Sequence, residues 1–220
     1  VIVCAAGNVD HDHFVDLVGA TLETLTASNH FLKRETPVGC AGISSHQRDL
    51  EQAHLCLGTK GLAIVDERRY AFSLMNTLLG GNMSSRLFQK IREQRGLAYS
   101  VYSAVVPYEH SGIVLGGVGT QNGQLAESLS LIQTEIKKVA REGITAEELE
   151  AAKTYTTGAF PLSLTSNARI AGMLVTLQVL DLGIDYLQRR AGLVNQVTLN
   201  DVREVAGRLL DVDAMSVVVV

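Results

Sequence analysis

The chain has 220 residues, of which 19 are Lys or Arg and 23 are Asp or Glu, so its formal net charge is −4. This mild acidity argues against a nucleic-acid-binding domain, which would show a basic stripe or a much higher pI, and 5% aromatic residues provide few stacking platforms for single strands. No apolar run reaches the roughly 20 residues that a membrane-spanning helix needs, so we expect no membrane span. With 46% apolar residues, the sequence predicts a globular chain with a packed core.

Apolar segments stand at both ends of the chain. Residues 1–7 (VIVCAAG) predict a buried strand, and apolar positions three and four apart predict an amphipathic helix over 10–26. Residues 28–48 lose this periodicity and are rich in turn residues, so we predict a connection between domains there. The last six residues, 215–220, again predict a buried strand. Because both ends are apolar strands and the first residue is Val, we expect the chain to be cut from a longer protein.

The remaining sequence, 49–220, predicts one larger domain. Strands are predicted at about 52–60, 97–106 and 112–119, and helices at about 66–79, 82–95, 121–141, from 145, 166–180, 185–195 and 199–209. Thr145 and Glu148 have capping-box spacing, and Thr198 is a second predicted cap. This order of elements predicts an α+β fold, with a mixed or antiparallel sheet and helices packed on one face.

Zinc ligands are the first chemistry to test, because His11 and His13 flank Asp12. Two ligands on a helix face one point when they lie three or four residues apart, whereas these histidines are two apart and diverge. Asp10 is better explained as a cap of the helix start. No H-E-x-x-H or H-x-x-E-H occurs, so we predict no metal site in the chain.

The three cysteines, Cys4, Cys40 and Cys56, form neither a C-x-x-C pair nor an even-numbered disulfide framework. Unpaired cysteines fit a reducing compartment. We therefore predict that each is a small buried apolar residue rather than a nucleophile or ligand.

A glycine-rich run at 116–120 follows a predicted strand and precedes a helix, as phosphate-binding loops do. Asn122 stands where the third glycine of the dinucleotide motif is required, and no G-x-x-x-x-G-K-[ST] occurs. We interpret these glycines as positions where a strand approaches its neighbours closely. A nucleotide-binding domain is an alternative that rests on this run alone.

The strongest motif is the segment 80–103, GGNMSSRLFQKIREQRGLAYSVYS. It predicts a capped basic helix that ends at Gly96 and is followed by a strand, with its cations on a solvated face. Arg92 lies near the helix end and Tyr99 just inside the strand, so both side chains can converge at the sheet edge. Such a pair can hold a peptide carbonyl by hydrogen bonds while the edge strand accepts the peptide.

This segment resembles the C-terminal half of the pitrilysin/insulinase-type zinc metallopeptidases, the group that contains mitochondrial processing peptidase. VIVCAAGNVDHDHFVDLV resembles the end of that family's first domain, DLEQAHLCLG the opening strand of its second, and VTLNDVREVAGRLL its closing helix. The resemblance implies the family's half-domain fold and places domain boundaries at 1–27, 28–48 and 49–220. It also implies that Arg92 and Tyr99, seven residues apart as in the family, contact the substrate, with Tyr99 at the developing oxyanion.

The resemblance also implies partners and a cofactor outside this chain. The zinc ligands of the family belong to its other half, so zinc is expected in the parent protein, which we expect to be a bacterial peptidase that is inactive as this chain alone. The expected partners are a peptide substrate, the N-terminal zinc-binding domain and a second family member in a homodimer or heterodimer. The alternative is a non-catalytic subunit that completes a peptidase chamber or binds peptides. The expected location is cytoplasmic, with the periplasm as the alternative.

Overall fold

The computed structural model describes residues 1–26, 33, 35 and 37–220. Its backbone divides into two compact units. The helical unit consists of the described residues among 1–36 together with 158–190, and the sheet unit consists of 37–157 together with 191–220. The boundaries that the family resemblance implies, 1–27, 28–48 and 49–220, divide the chain differently and stay a prediction; part of that 28–48 connection lies outside the described residues.

The helical unit begins with an extended segment and a capped helix. Helix α1 spans His11–Leu22, and the Asp10 carboxylate caps it by accepting the His13 N–H at 2.9 Å, which confirms the predicted helix start. The strand predicted over 1–7 is wrong. Among the described residues no strand pairs with this segment, and a strand exists only where a neighbour completes its hydrogen bonds.

The described residues contain five strands and seven α-helices. After α1, the elements in chain order are β1 Gly42–Ser45, β2 Ala53–Gly61, α2 Arg69–Leu79, a π-helix Phe88–Gln94, β3 Ala98–Pro107, β4 Gly112–Thr120, α3 Leu125–Glu142, α4 Ala146–Ala159, α5 Asn167–Val179, α6 Tyr186–Asn195, α7 Leu199–Leu209 and β5 Ser216–Val219.

The five strands form one mixed sheet in the order β1-β5-β2-β4-β3. Strand β1 runs parallel to β5, and the other neighbours are antiparallel. Strand β1 lies inside the segment predicted as a connection between domains and adds a paired strand that the sequence did not reveal; the role of the segment as a linker stays a prediction. The four residues of β1 gain their strand conformation from β5, more than 170 residues later in the sequence, and a local pattern does not reveal such a partner.

The core lies between one face of this sheet and helices α2, α3 and α7. Every second residue of β2 points into it, and the buried face of α3 is the apolar stripe that the sequence predicts. The largest fully buried apolar side chains here are Leu55, Leu74, Met75, Leu79, Ile91, Ile132, Val139 and Val202. Burying a side chain of this size contributes roughly 1.5–3 kcal/mol. The predicted α+β fold with helices on one face of a mixed sheet is confirmed.

Two predicted caps are also confirmed. Thr198 and Asp201 form a reciprocal capping box at the start of α7. At the start of α4, the Thr145 N–H donates to the Glu148 carboxylate at 2.8 Å, and the Glu148 N–H donates to the Thr145 hydroxyl at 3.2 Å. Glu148 has a second role, because it also accepts two hydrogen bonds from Arg86, at 2.7 and 2.6 Å.

The double role of Glu148 gives a pH-dependent contribution to stability. Hydrogen bonding to Arg86 holds the pKa of the Glu148 carboxyl below its usual range. A carboxyl whose folded pKa is depressed stabilises the fold above its unfolded pKa, roughly 4.3, and that stabilisation is lost as pH falls below this value. We expect Glu148→Gln to lower the free energy of unfolding by about 1 kcal/mol at pH 7 and by less at pH 3.5, measured by urea unfolding.

Glu150→Gln is the matched control, because Glu150 lies on the same helix with an exposed side chain and pairs with Lys153, three residues further along that helix. Its effect is expected to be under about 0.5 kcal/mol. A loss for Glu148→Gln that is equal at both pH values would show that charge at this position does not stabilise the fold.

Candidate functional site

The helix of the motif 80–103 begins later than the sequence predicts and is of a different type. The predicted helix starts near residue 82, whereas the structure has a turn there and a π-helix over Phe88–Gln94. The Asn82 side chain accepts the Ser84 N–H at 2.8 Å, a local hydrogen bond that favours a turn over a helix. Short π-helical turns are frequent at functional sites.

Ion pairs fasten this helix to α4 and α3. Arg86 makes a two-pronged contact with Glu148 of α4, and Lys90 pairs with Glu135 of α3. Glu135 is buried, and its Oε2 has no hydrogen-bond partner among the described residues. The prediction that the cations form a solvated face is therefore wrong for Arg86 and Lys90. Their carboxylate partners lie on other helices, 62 residues away in sequence for Arg86 and 45 for Lys90.

The end of the π-helix fixes the backbone between Arg92 and Tyr99. Gly96 has φ of +63° and its N–H donates to the Arg92 carbonyl at 3.1 Å, which is the glycine-terminated helix end that the sequence predicts. The next N–H, of Leu97, donates to the Ile91 carbonyl at 2.9 Å. These two bonds turn the chain from the helix directly into β3.

A buried pair of hydroxyl groups fixes the same turn from the other side. The Thr120 hydroxyl donates to the Leu97 carbonyl at 2.6 Å, and the Ser128 hydroxyl donates to Thr120 Oγ1 at 3.3 Å. Thr120 ends β4 and Ser128 lies on α3, and both are buried. Leu97 is thus held at its N–H by the π-helix and at its carbonyl by β4, and Ser128 of α3 supports the β4 hydroxyl.

Tyr99 lies at an irregularity in the pairing of β3 with β4. Ala98 lies opposite Thr120 and Ser100 opposite Gly119, so Tyr99 is an extra residue without an opposite partner. Such β-bulges redirect a side chain and are common beside active sites. The Tyr99 side chain is 79% exposed, unlike the buried Ala98 before it.

The structure brings Arg92 and Tyr99 together. The Arg92 guanidinium carbon lies 4.9 Å from the centre of the Tyr99 ring and 4.7 Å from the centre of the Phe88 ring. Contact with two rings restricts the guanidinium, and its Nε lies 3.6 Å from the exposed Glu93 carboxylate. Its other N–H groups and the phenol O–H are hydrogen-bond donors that face no such partner in this ion pair. The pair can therefore donate to one carbonyl or carboxylate oxygen; contact with a substrate stays a prediction.

Sequence reasoning missed Phe88, Thr120 and Ser128. The four-residue spacing of Phe88 and Arg92 on one helix was an available signal. No local signal exists for Thr120 and Ser128, because the contact of Thr120 with Leu97 depends on how β3 pairs with β4, and that of Ser128 with Thr120 on how α3 packs on the sheet.

Strand β3 is an edge of the sheet, as the predicted peptide addition requires. Part of this edge is already paired with the chain itself. The Ser103 N–H donates to the Gly80 carbonyl at 2.9 Å, and the Ser103 carbonyl accepts the Asn76 side-chain amide at 3.3 Å. Addition of a peptide strand stays a prediction for the part of the edge around Tyr99.

Other candidate chemistry receives no support from the described residues. Among them, no group of three or more His, Cys, Asp or Glu side chains could hold a metal ion. The glycine run 116–119 lies inside β4 rather than in a loop, which removes the basis of the nucleotide-binding alternative. The prediction of buried cysteines is wrong for Cys40 and Cys56, which are exposed, and Cys4 is half-buried. Cys56 occupies an outward-facing position of β2.

Comparison with protein families decides what this fold is. Residues 1–156 match the family described as the peptidase M16 inactive domain. The chain belongs to this family. The matched residues include Arg92 and Tyr99, and the family's description calls the domain inactive, in line with a peptidase half that does not act alone.

Relatives of this M16 domain are bacterial proteins with zinc protease in their names. The chain is 41% identical over 166 residues to "Uncharacterized zinc protease YmxG" of Bacillus subtilis, covering 76% of the chain and 40% of that protein. It is 35% identical over 221 residues to "Uncharacterized zinc protease SCO5738" of Streptomyces coelicolor, covering 96% of the chain and 48% of that protein. The chain therefore spans less than half the length of these two relatives.

A crystal structure supports the same assignment. The M16 inactive domain from Pseudomonas fluorescens shares 28% identity and superposes with a TM-score of 0.86, covering 97% of this chain and 52% of that one. Within the described part of this M16 chain, no helix has both the length and the apolar character that crossing a membrane requires.

The hydroxyl contact at Leu97 can be tested by removing one oxygen. We expect Thr120→Val to lower the free energy of unfolding by about 1–3 kcal/mol, because the Leu97 carbonyl loses a buried donor, whereas Thr120→Ser should keep most of the stability. Urea unfolding of the 220-residue chain measures both. Thr77→Val is the control, since the Thr77 hydroxyl donates to the Ser73 carbonyl inside α2. Equal losses for the Val and Ser variants of Thr120 would assign the effect to packing instead.

Proposed function

We propose that the protein carrying this chain is a zinc-dependent peptidase and that the chain supplies its substrate-binding half. Membership in the M16 inactive-domain family and the zinc protease names of its relatives support this proposal. The expected partners are a peptide substrate, an N-terminal zinc-binding domain of the same protein, and a second family member in a homodimer or heterodimer.

The observation that carries the proposal is the pairing of Arg92 with Tyr99. The guanidinium lies 4.9 Å from the Tyr99 ring centre, and Tyr99 is exposed on the edge strand β3. A peptide carbonyl that reaches this pair meets a phenol O–H and guanidinium N–H groups, and no carboxylate lies among the residues around the adjacent depression in the sheet face. These donors are of the type that orients a substrate carbonyl.

The proposed role of Tyr99 is to stabilise negative charge on the carbonyl oxygen as the peptide bond is attacked. A donor aimed at an oxygen where charge develops contributes more in the transition state than in the ground state, so it raises turnover. Arg92 orients the same peptide and adds a fixed positive charge. Its two aromatic neighbours, Phe88 and Tyr99, restrict its position. The exposed Glu93 carboxylate lies 3.6 Å from its Nε and offsets part of that charge, which leaves the other guanidinium N–H groups for the peptide.

The second candidate function is a non-catalytic subunit that binds peptides or completes a partner's chamber. The family's description as an inactive domain favours this candidate. Zinc content and peptidase activity of the full-length protein separate the two. Peptide binding through Arg92 and Tyr99 is common to both.

We propose a cytoplasmic location for the protein. Its three cysteines are free, two of them exposed, which suits a reducing compartment better than an oxidising one. Fractionation of cells that express the full-length protein tests this, and recovery from the periplasm would overturn it.

Tyr99→Phe tests the proposed role of the phenol O–H. In the full-length protein we expect the variant to lower kcat for casein-derived peptides at least about tenfold, with a smaller change in KM, because one oxyanion donor is removed. Its folding should be unchanged, since Tyr99 is exposed and the substitution keeps the ring. Thermal unfolding by circular dichroism checks that point.

Tyr108→Phe is the matched control. Tyr108 follows the opposite end of β3 and is similarly exposed, roughly 30 Å along the strand from Tyr99. Unchanged kcat in Tyr99→Phe, with the wild-type protein active, would show that the phenol does not take part in turnover.

A further inference from the structure

The glycines of β4 leave a depression on the exposed face of the sheet, the face opposite the core. Gly117 and Gly119 are alternate residues of β4 and point to this side, whereas Val118 between them is buried in the core. The depression has a volume of about 280 Å³. We call it the β4 trough; Gly117 and Gly119 form its floor.

The walls of the β4 trough come from the neighbouring strands in fixed register. Gly119 lies directly between His54 of β2 and Ser100 of β3. Gly117 lies in the same way between Cys56 and Tyr102. The Tyr102 side chain covers Gly117. A Cβ atom at Gly117 would lie 2.7–2.9 Å from two ring carbons and the hydroxyl oxygen of Tyr102.

Gly119 is the open part of the floor. A Cβ atom at Gly119 would lie 3.4 Å from the Gln52 side-chain oxygen and 3.7 Å from the His54 ring, so a side chain fits there with small adjustments and would fill the trough. Tyr99 forms the adjoining wall. The phenol proposed to hold the substrate carbonyl therefore borders the space.

The chemistry of the lining selects one kind of occupant. Neither Asp, Glu, Lys nor Arg lines the β4 trough, so a charged side chain would lose water there without gaining a counter-ion. Two tyrosine rings and a glycine floor suit a flat apolar or aromatic group, which gains contact area and ring stacking. The lining also includes Gln52, His54 and Ser100, whose polar groups can stay in contact with water beside such an occupant. The volume is just below the roughly 300–1,000 Å³ of pockets for drug-sized molecules, which fits a single side chain.

We propose that the β4 trough binds an aromatic or long apolar side chain of the peptide whose carbonyl contacts Arg92 and Tyr99, and that Gly119 determines this specificity. The inference rests on the proposed function. In an extended peptide the side chains stand away from the backbone carbonyls, so a residue next to the held carbonyl can project onto the sheet face. The glycines at 117 and 119 then have two roles: they allow the strands to approach closely, and they give the binding site its depth.

Gly119→Val is the decisive variant, because it fills the trough and is compatible with the fold. Valine favours strands, and Gly119 has no backbone angle that restricts it to glycine. Cleavage sites of the full-length protein in β-casein are first mapped by mass spectrometry. A peptide with the best-cleaved sequence is then synthesised in pairs. The two peptides of a pair differ at one position beside the cleaved bond, where one has Phe and the other has Ala.

In the wild-type protein we expect one flanking position at which kcat/KM is higher for the Phe peptide. Gly119→Val should lower the Phe-to-Ala ratio of kcat/KM at that position at least about tenfold, since loss of a single methylene-sized contact already changes specificity 10–200-fold. Gly119→Ala should have an intermediate effect. The control is Gly58→Ala, on the same face of β2 but outside the trough, where a Cβ makes only ordinary contacts; it should leave the ratio unchanged.

The outcomes separate this inference from the proposed function. Tyr99→Phe should lower kcat for the Phe and Ala peptides alike. If Tyr99→Phe has this effect but Gly119→Val leaves the Phe-to-Ala ratio of kcat/KM unchanged, the role of the β4 trough is overturned and the proposed function is kept. If the wild-type protein does not cleave, binding of the same peptides, fluorescently labelled, is measured by anisotropy. Loss of the preference for the Phe peptide over the Ala peptide in Gly119→Val supports the proposed role of the β4 trough. A wild-type protein that shows no such preference overturns that role. A wild-type protein that binds neither peptide overturns both proposals.

Discussion

The hydrogen bonds at Leu97 are the constraint on which the candidate site depends. Its N–H is bound by the Ile91 carbonyl of the π-helix, and its carbonyl is bound by the Thr120 hydroxyl at the end of β4. Leu97 lies between the helix that carries Arg92 and the strand that carries Tyr99. Holding both of its polar groups fixes the turn between them, which keeps the guanidinium and the ring within 5 Å. Two side chains that are proposed to contact a substrate together need this kind of rigid support.

The same segment combines a rigid interior with an accessible surface. On one side, Arg86, two residues before the π-helix, pairs with Glu148 of α4, and Lys90 of the π-helix pairs with Glu135 of α3. On the other side, the bulge at Tyr99 and the glycines of β4 leave rings and donors exposed above a shallow floor. Core-facing residues thus determine where the exposed ones stand, and the exposed ones are left to recognise a ligand.

Much of the fold followed from local patterns. The stripe of α3, the caps at Thr145 and Thr198, the glycine end at Gly96 and the hairpin of β3 and β4 are all local signals, and all are confirmed. The sequence predictions are wrong where the conformation of a segment depends on a partner far away in the chain. Strand β1 exists because β5 pairs with it, and residues 1–7 lack such a partner among the described residues. The π-helix replaces the predicted helix because turn bonds and ion pairs outweigh local propensity.

For the site, the sequence by itself determined the family, the motif and the pair Arg92 and Tyr99, because residue spacing within one segment is a local property. It also determined the mild net negative charge that argues against nucleic-acid binding. The tertiary structure alone decided that Tyr99 sits on a bulge, that Thr120 supports Leu97, and that the β4 glycines form a floor beside the site. These features depend on strand register and helix packing, which join residues far apart in the chain, so no local pattern encodes them.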